Sequence, residues 1–214
     1  MDLLRRLDDR VFRAINSLSR HTDWLHSPMV DYAKFGVILF FGLLVIGLVM
    51  ARQLDNRTLA AAGWAPIAVL LALAANQPLS GAIHEARPYD THPHVLVLVT
   101  RSTDWSFPSD HAVMAGAVAV GLLFVSRRLG LIAVGAALLM AFARVYVAAH
   151  YPWDVVAGLV FGGAVALLSW LLLRTPLTEL TGWLRRQRVL SEVFAPADRT
   201  ADLDQMLQRS GRVR

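Results

Sequence analysis

The chain has no cysteine in its 214 residues. That excludes disulfides, thiolate metal sites and a cysteine nucleophile, and leaves the redox compartment open. Lysine is nearly absent too: Lys34 stands alone, so every other basic side chain is arginine. Charge as a whole is scarce, at 17% of residues against 56% hydrophobic, with a mean hydropathy of +0.47. Soluble domains do not have this balance, and the bilayer is the expected solvent. The formal charge of +5 then reads as cytoplasmic loops and contact with anionic headgroups. Nucleic-acid binding is not expected, because no basic stripe with interleaved aromatics is present. Internal repeats and low-complexity segments are also missing.

What is there is a series of apolar runs. A spanning helix consumes about 20 residues, so the chain has room for one domain of five or six helices and for no second one. The first 28 residues do not read as a signal peptide, because Arg5, Arg6, Asp8, Asp9, Arg10 and Arg13 interrupt any apolar core. Leu3, Leu4, Leu7, Val11, Phe12, Ile15 and Leu18 recur there at helical spacing, which predicts an amphipathic helix lying on the membrane surface. Spanning runs follow at Phe35–Ala51, Leu59–Ile83 with Pro66 and Pro78 inside, Ala112–Val125, Leu129–Ala149 and Val155–Leu173. The expected fold is an all-α, multi-pass membrane helical bundle with about five spanning helices plus the N-terminal amphipathic helix. Residues 1–174 form the membrane-embedded domain, and residues 175–214 a polar, Arg-rich tail.

With five crossings, the breaks holding Arg52 and Arg57, Arg127 and Arg128, and the tail holding Arg174, Arg185, Arg186 and Arg188 share one side. The positive-inside rule makes that side cytoplasmic. The long polar loop from His84 to Phe107 and the turn around His150 then lie on the extracytoplasmic face. The basic N-terminal segment falls there as well, against the rule unless it crosses the bilayer.

Three polar clusters sit at that face: His84-Glu85-Ala86-Arg87-Pro88, Pro108-Ser109-Asp110-His111, and Arg144 with His150 and Asp154. Ionisable residues beside spans are costly and mark function. Their types suit phosphoryl transfer, which needs charge stabilisation at phosphate oxygens, a nucleophile and a proton donor. Arg87 and Arg144 offer planar forks for phosphate. Ser109 and the backbone amides after Pro108 offer an anion cradle at a helix start. Asp110 inside that cradle is unfavourable for an anion unless it points away. His150 is the candidate nucleophile, with Asp154 fixing its tautomer. His111 is the candidate acid for the departing oxygen and later the base for water. Glu85 is a further candidate, positioning His84 or Arg87 or capping a kinked helix. Trp105 and Trp153 read as interfacial aromatics.

At these residues the sequence resembles the type 2 phosphatidic acid phosphatase family. That family's motifs are a Lys followed after six residues by Arg-Pro, then Pro-Ser-Gly-His, then Ser-Arg followed after five residues by His and after three more by Asp. Here Arg87-Pro88, Pro108-Ser109 with His111, and Arg144, His150 and Asp154 match in order and spacing. The resemblance runs from about Val11 to Leu173. It implies a six-helix α fold and a phosphohistidine mechanism without metal or other cofactor, the matching histidines taking the roles given above. Three positions depart from the pattern: Ser80 replaces the Lys, Asp110 the Gly and Ala143 the Ser. Lys34 is the one lysine that remains to replace the missing charge; a lone Lys at a span end is otherwise an interfacial anchor.

The departures point within the family to undecaprenyl-diphosphatases of the bacitracin-resistance type. The resemblance rests on Asn76, Glu85 to Pro88, Ser106 to His111, His150 to Asp154 and Val11 to Asn16. It implies an isoprenoid diphosphate as substrate, held in the bilayer. Arg101 in the long loop is a candidate for the second phosphate, or else a snorkelling anchor. The alternatives are a glycerolipid phosphate such as phosphatidic acid or phosphatidylglycerol phosphate, and a transporter whose polar residues conduct protons.

Overall fold

The computed structural model describes residues 2–187. The elements are α1 (Asp2–Arg20), α2 (His26–Ala51), α3 (Asn56–Ile83), the single turn α4 (Pro88–Thr91), α5 (Asp110–Leu123), α6 (Arg127–Tyr146) and α7 (Pro152–Arg186). No strand occurs among the described residues, so the all-α membrane bundle expected from the sequence is the fold. Four helices, α2, α3, α6 and α7, are long and apolar enough to cross a membrane, and α5 is a shorter apolar helix of 14 residues. Their outward residues are apolar: Phe41, Leu70, Val160 and Leu172 are all at least 67% exposed, as lipid-facing positions must be.

α2 and α7 outrun the apolar patches that announce them, whereas α5 and α6 stop two and three residues short of theirs. α2 begins nine residues before Phe35 and carries Asp31 and Lys34 in its first turns, because near the interface a polar residue does not break the backbone ladder. α7 continues through Pro176 to Arg186, so residues 175–186 of the expected tail prolong the last helix. The rest of that Arg-rich tail lies outside the described residues. At the end of the bundle away from His150, Arg185 donates to the carbonyls of Leu54 (2.9 Å) and Arg52 (3.0 Å) and to Asn56 Oδ1 (2.9 Å), which ties α7 to the α2–α3 turn. Asp55 starts α3 by accepting from the amides of Arg57 and Thr58, two donors that a helix start leaves orphaned.

α5 is the central post, packed against α2, α3, α6 and α7. Its side chains are nearly all Ala, Gly and Val and buried from Ala112 to Ala119. This composition has a reason in lipid, where helices associate by close packing rather than by hydrophobic exclusion. A Cβ on Gly116 would collide with the Leu159 carbonyl, and one on Gly162 with the Val113 carbonyl. The α5–α7 crossing is therefore backbone against backbone, and it fixes how the N-termini of both helices meet.

Candidate active site

Those two N-termini, with the C-terminal ends of α3 and α6, carry the site. Ser109 begins α5 and Tyr151 begins α7, and the Ser109 amide donates to the Asp154 carbonyl at 3.2 Å. α6 ends at Tyr146, and Ala148 turns the chain with φ 61°, so that His150 lies under the start of α7. The buried polar side chains among the described residues, Asn16, Ser19, Asn76, Arg87, Ser106, Ser109, His150 and Asp154, all belong to this end.

A cavity of about 460 Å³ opens here, lined by Arg87, Asp110, His111, Arg144 and His150 among others. His150 is 2% exposed. Its Nδ1 lies 2.8 Å from the Ser106 carbonyl; a carbonyl only accepts, so the proton is on Nδ1 and the lone pair on Nε2. Nε2 in turn receives Arg87 Nη1 at 3.3 Å and Arg144 Nη2 at 3.2 Å. Burial first, then the charges of Arg144 and Arg87, push the His150 pKa well below its ordinary 6.5, so the ring is neutral with Nε2 facing two guanidiniums.

Both arginines are held by backbone. Arg87 donates from Nη1 to the Ala149 carbonyl (2.8 Å), from Nε to the Asp104 carbonyl (3.2 Å) and from Nη2 to Asp104 Oδ1 (3.0 Å). Arg144 reaches the Ala33 carbonyl of α2 at 3.4 Å, and its Nε has no hydrogen-bond partner among the described residues. Burial works to raise the Asp104 pKa, but the Ser102 hydroxyl and Arg87 outweigh it and hold this carboxyl below the usual range. Asp104 thus stays charged and fixes the fork of Arg87 while leaving its Nη1 beside His150.

The expected partnership of His150 and Asp154 differs in detail. Asp154 Oδ2 stands 3.6 Å from Nδ1, beyond hydrogen-bond reach. It accepts instead from Ser106 Oγ at 2.5 Å and from the Tyr151 amide at 2.8 Å, because as the third residue of α7 it folds back on the helix start. The contact that sets the tautomer is therefore the Ser106 carbonyl. Nothing in residue type marks Ser106 as special; a main-chain acceptor has no sequence signature. The serine is wholly buried, and its own amide donates to the Glu85 carbonyl at 2.8 Å.

Other candidates land differently. Asp110 lines the cavity with its carboxylate held by α3: Asn76 Nδ2 donates to Oδ1 at 2.7 Å and Gln77 Nε2 at 3.3 Å. Ser109 is buried with its Oγ unpartnered among the described residues, and its amide is already spent on Asp154, which removes the first donor of the expected cradle. Ser80, in place of a lysine, lines the cavity. Lys34 does not: it is exposed on α2 with Nζ 5.0 Å over the Phe35 ring. Arg101 stacks over Tyr89, a cavity residue, at 5.4 Å. Trp105 also lines the cavity and packs its ring 4.6 Å from His84.

Glu85 is not a partner of Arg87 or His84. His84 ends α3 in the left-handed region with φ 55°, and this reversal sends the Glu85 side chain to a second, apolar groove of about 440 Å³ lined by Leu4, Asp8, Phe107, Trp153 and Val156. Burial, with Asp154 and Asp8 nearby, raises the Glu85 pKa, and burial raises Asp8 to about 6.

The fold and sequence have relatives. The structure is similar to a PAP2-type phosphatidylglycerolphosphate phosphatase of Bacillus subtilis, with a TM-score of 0.59 and 21% identity over 88% of this chain and 90% of that one. In sequence the chain is 33% identical over 159 residues to the undecaprenyl-diphosphatase BcrC of Bacillus subtilis, covering 74% of this chain and 80% of the relative. A lipid A 1-phosphatase of Rhizobium etli is 41% identical over 97 residues, 42% of this chain and 41% of that protein. The PAP2 superfamily profile matches residues 61–176, the stretch from α3 to α7 that builds the cavity, and the chain belongs to that superfamily.

Proposed function

We propose that the protein is a membrane lipid phosphatase that hydrolyses undecaprenyl diphosphate to undecaprenyl phosphate, with His150 as nucleophile. The observation that carries this reading is the pair of guanidiniums, buried Arg87 and half-buried Arg144, at 3.3 and 3.2 Å from His150 Nε2. Two permanent cations around a neutral imidazole repel each other and gain from an anion between them. A phosphate entering the cavity takes over both donors and frees the Nε2 lone pair.

The steps then balance without a metal. Nε2 attacks the terminal phosphorus, the bond to the bridging oxygen breaks, and His111 gives a proton to the departing lipid phosphate. Charge on the transferring phosphoryl group is met by Arg87 and Arg144. The ring, cationic once phosphorylated, keeps its Nδ1 proton on the Ser106 carbonyl with Asp154 3.6 Å away. His111, now neutral, takes a proton from water as that water attacks phosphorus. Inorganic phosphate leaves and His150 is restored. Asp154 and Ser106 are positioning residues in this scheme.

The site's electrostatics suit an anion rather than a cation: its carboxylates at Asp104 and Asp110 are engaged by Arg87 and Asn76. The diphosphate substrate follows from the relative matched over most of both chains. A glycerolipid monophosphate is the second reading, favoured by the fold likeness. Proton transport finds no support, since the buried polar groups gather at one end of the bundle.

The arginine-bearing breaks at Arg52, Arg57, Arg127 and Arg128 lie at the opposite end from His150, which by the positive-inside rule supports a site on the extracytoplasmic face and a tail on the cytoplasmic side. The cysteine-free chain makes this simple to test: Thr103→Cys should react with an impermeant maleimide in intact cells, and Leu54→Cys only after lysis. The reverse pattern overturns the orientation.

Phosphate release from undecaprenyl diphosphate by detergent-purified protein in excess EDTA, with phosphatidic acid and phosphatidylglycerol phosphate in parallel, tests the activity. Release favouring the isoprenoid supports the reading. Preference for a glycerolipid supports the second, and no release from any of the three overturns both.

A further inference from the structure

Helix α1 takes no part in the chemistry above, yet it touches the site from behind. Its residues divide into three stripes. Phe12, Asn16 and Ser19 are buried against the protein, Leu3, Leu4, Leu7, Val11 and Leu18 are exposed and apolar, and Arg10, Arg13 and Arg20 are exposed and basic. At about 100° per residue the stripes lie roughly 120° apart. This is the pattern of a helix in the interface plane with one face on protein, one on lipid and one on water. α1 meets the His150 end of the bundle without crossing, so its arginines stay at that end, against the positive-inside rule.

The protein-facing stripe makes three contacts one helical turn apart. Asp8 Oδ1 accepts from the Trp153 amide at 2.8 Å. Phe12 packs its ring 5.3 Å from Tyr151 and 5.7 Å from His92. Asn16 pairs both ways with the Leu96 backbone, donating to its carbonyl at 2.8 Å and accepting from its amide at 3.1 Å. Each partner adjoins the site. Trp153 precedes Asp154, Tyr151 follows His150, and two residues after Leu96 the Leu98 amide donates to the Val147 carbonyl at 3.2 Å, leading into Val99 and Thr100 of the cavity wall.

We propose that α1 is a positioning splint for the active site, acting through Asp8 on the first turn of α7 and through Asn16 on the cavity loop. The first turn of α7 lacks intrahelical acceptors for its amides, and Pro152 has none to offer. Trp153 is therefore the first amide there that needs an outside partner, and the partner comes from a helix about 145 residues earlier in the chain. Asp8 holds this place despite its burial, beside Trp153 and near Asp9 and Asp154. With Tyr151 and Asp154 in the same turn, a looser start to α7 moves the Ser106–His150 hydrogen bond out of line.

The inference rests on the phosphatase reading, and its test separates the two. Asp8→Leu, Asp8→Asn and Asn16→Leu are purified as full chains in detergent. kcat and KM for phosphate release from undecaprenyl diphosphate are measured, together with amide hydrogen exchange over residues 147–155 and 92–100. Asp8→Leu is expected to lower kcat about fivefold, the worth of a helix cap, with KM held and faster exchange at 147–155. Asp8→Asn keeps an acceptor oxygen and is expected to restore both. Asn16→Leu is expected to speed exchange at 92–100, and it decides the matter if Asp8→Leu does not fold. Equal losses in Asp8→Leu and Asp8→Asn overturn the cap, and unchanged exchange in all three overturns the splint. Exchange needs no substrate, so failure of the native protein to release phosphate would sink the substrate reading alone.

Discussion

Two hollows of nearly equal size, about 460 and 440 Å³, use the segment from Trp105 to Pro108 as a shared wall, and they are opposite in character. The cavity on one side presents Arg87, Arg144, His111 and His150. The groove on the other presents leucines, Trp153 and Val156 with Arg5 and the carboxyls of Asp8 and Glu85. The first draws an anion, while the second sets Arg5 against two carboxyls, although both lie within a few residues of each other in sequence. What separates them is backbone geometry. The left-handed turn at His84 puts Glu85 on one side and Arg87 on the other. Charge in a membrane protein is thus sorted by where the chain reverses, and adjacency in sequence is a poor guide to a shared site.

That contrast can be broken at its strongest point by His150→Ala, which removes the nucleophile; phosphate release is expected to fall by about a thousandfold or more, and any smaller loss would move the attack elsewhere. Arg144→Lys keeps the charge but loses the fork, and is expected to cost about a hundredfold in kcat/KM, measured in the same release assay. Ser106→Ala leaves the carbonyl that sets the His150 tautomer but frees Asp154 Oδ2; kcat should drop about tenfold with KM little changed. A pH profile sharpens the same point. His150 is held below 6.5 by burial and the two arginines, so its neutral, nucleophilic form persists as pH falls. The acid limb of kcat/KM belonging to it should lie below pH 6.5, and a limb above that value would contradict the buried neutral ring. The smallest effect is expected on the groove side: Glu85→Gln should leave kcat/KM within about twofold.

Much of the cavity was legible in the sequence because ionisable residues are conspicuous in so apolar a chain. Arg87, His111, Arg144 and His150 were placed together and do line one cavity. The bundle was legible too, since apolar runs bounded by arginines mark spans, though α2 and α7 extend well past their runs. Three features were not. Ser106 acts through a carbonyl, which every residue has. Asp154 turns to the Tyr151 amide and the Ser106 hydroxyl, a local competition that spacing does not reveal. Glu85 and Lys34 had suitable chemistry but the wrong direction, and direction is set by φ at one residue and by the face of a helix.

At about 1.5 Å per residue, the 14 residues of α5 reach about 21 Å, against a hydrocarbon thickness of about 30 Å. Its inner end is held beside Arg127 and Arg128, at the opposite surface. His111, one residue into its outer end, therefore stands where the helix is about 9 Å short of a full hydrocarbon crossing. A phosphate held among side chains there, away from bulk water, is attracted to a guanidinium many times more strongly than in water. The short helix leaves its end of the bundle to the loop from His84 to Phe107, whose Thr100, Ser102, Asp104 and Trp105 wall the cavity.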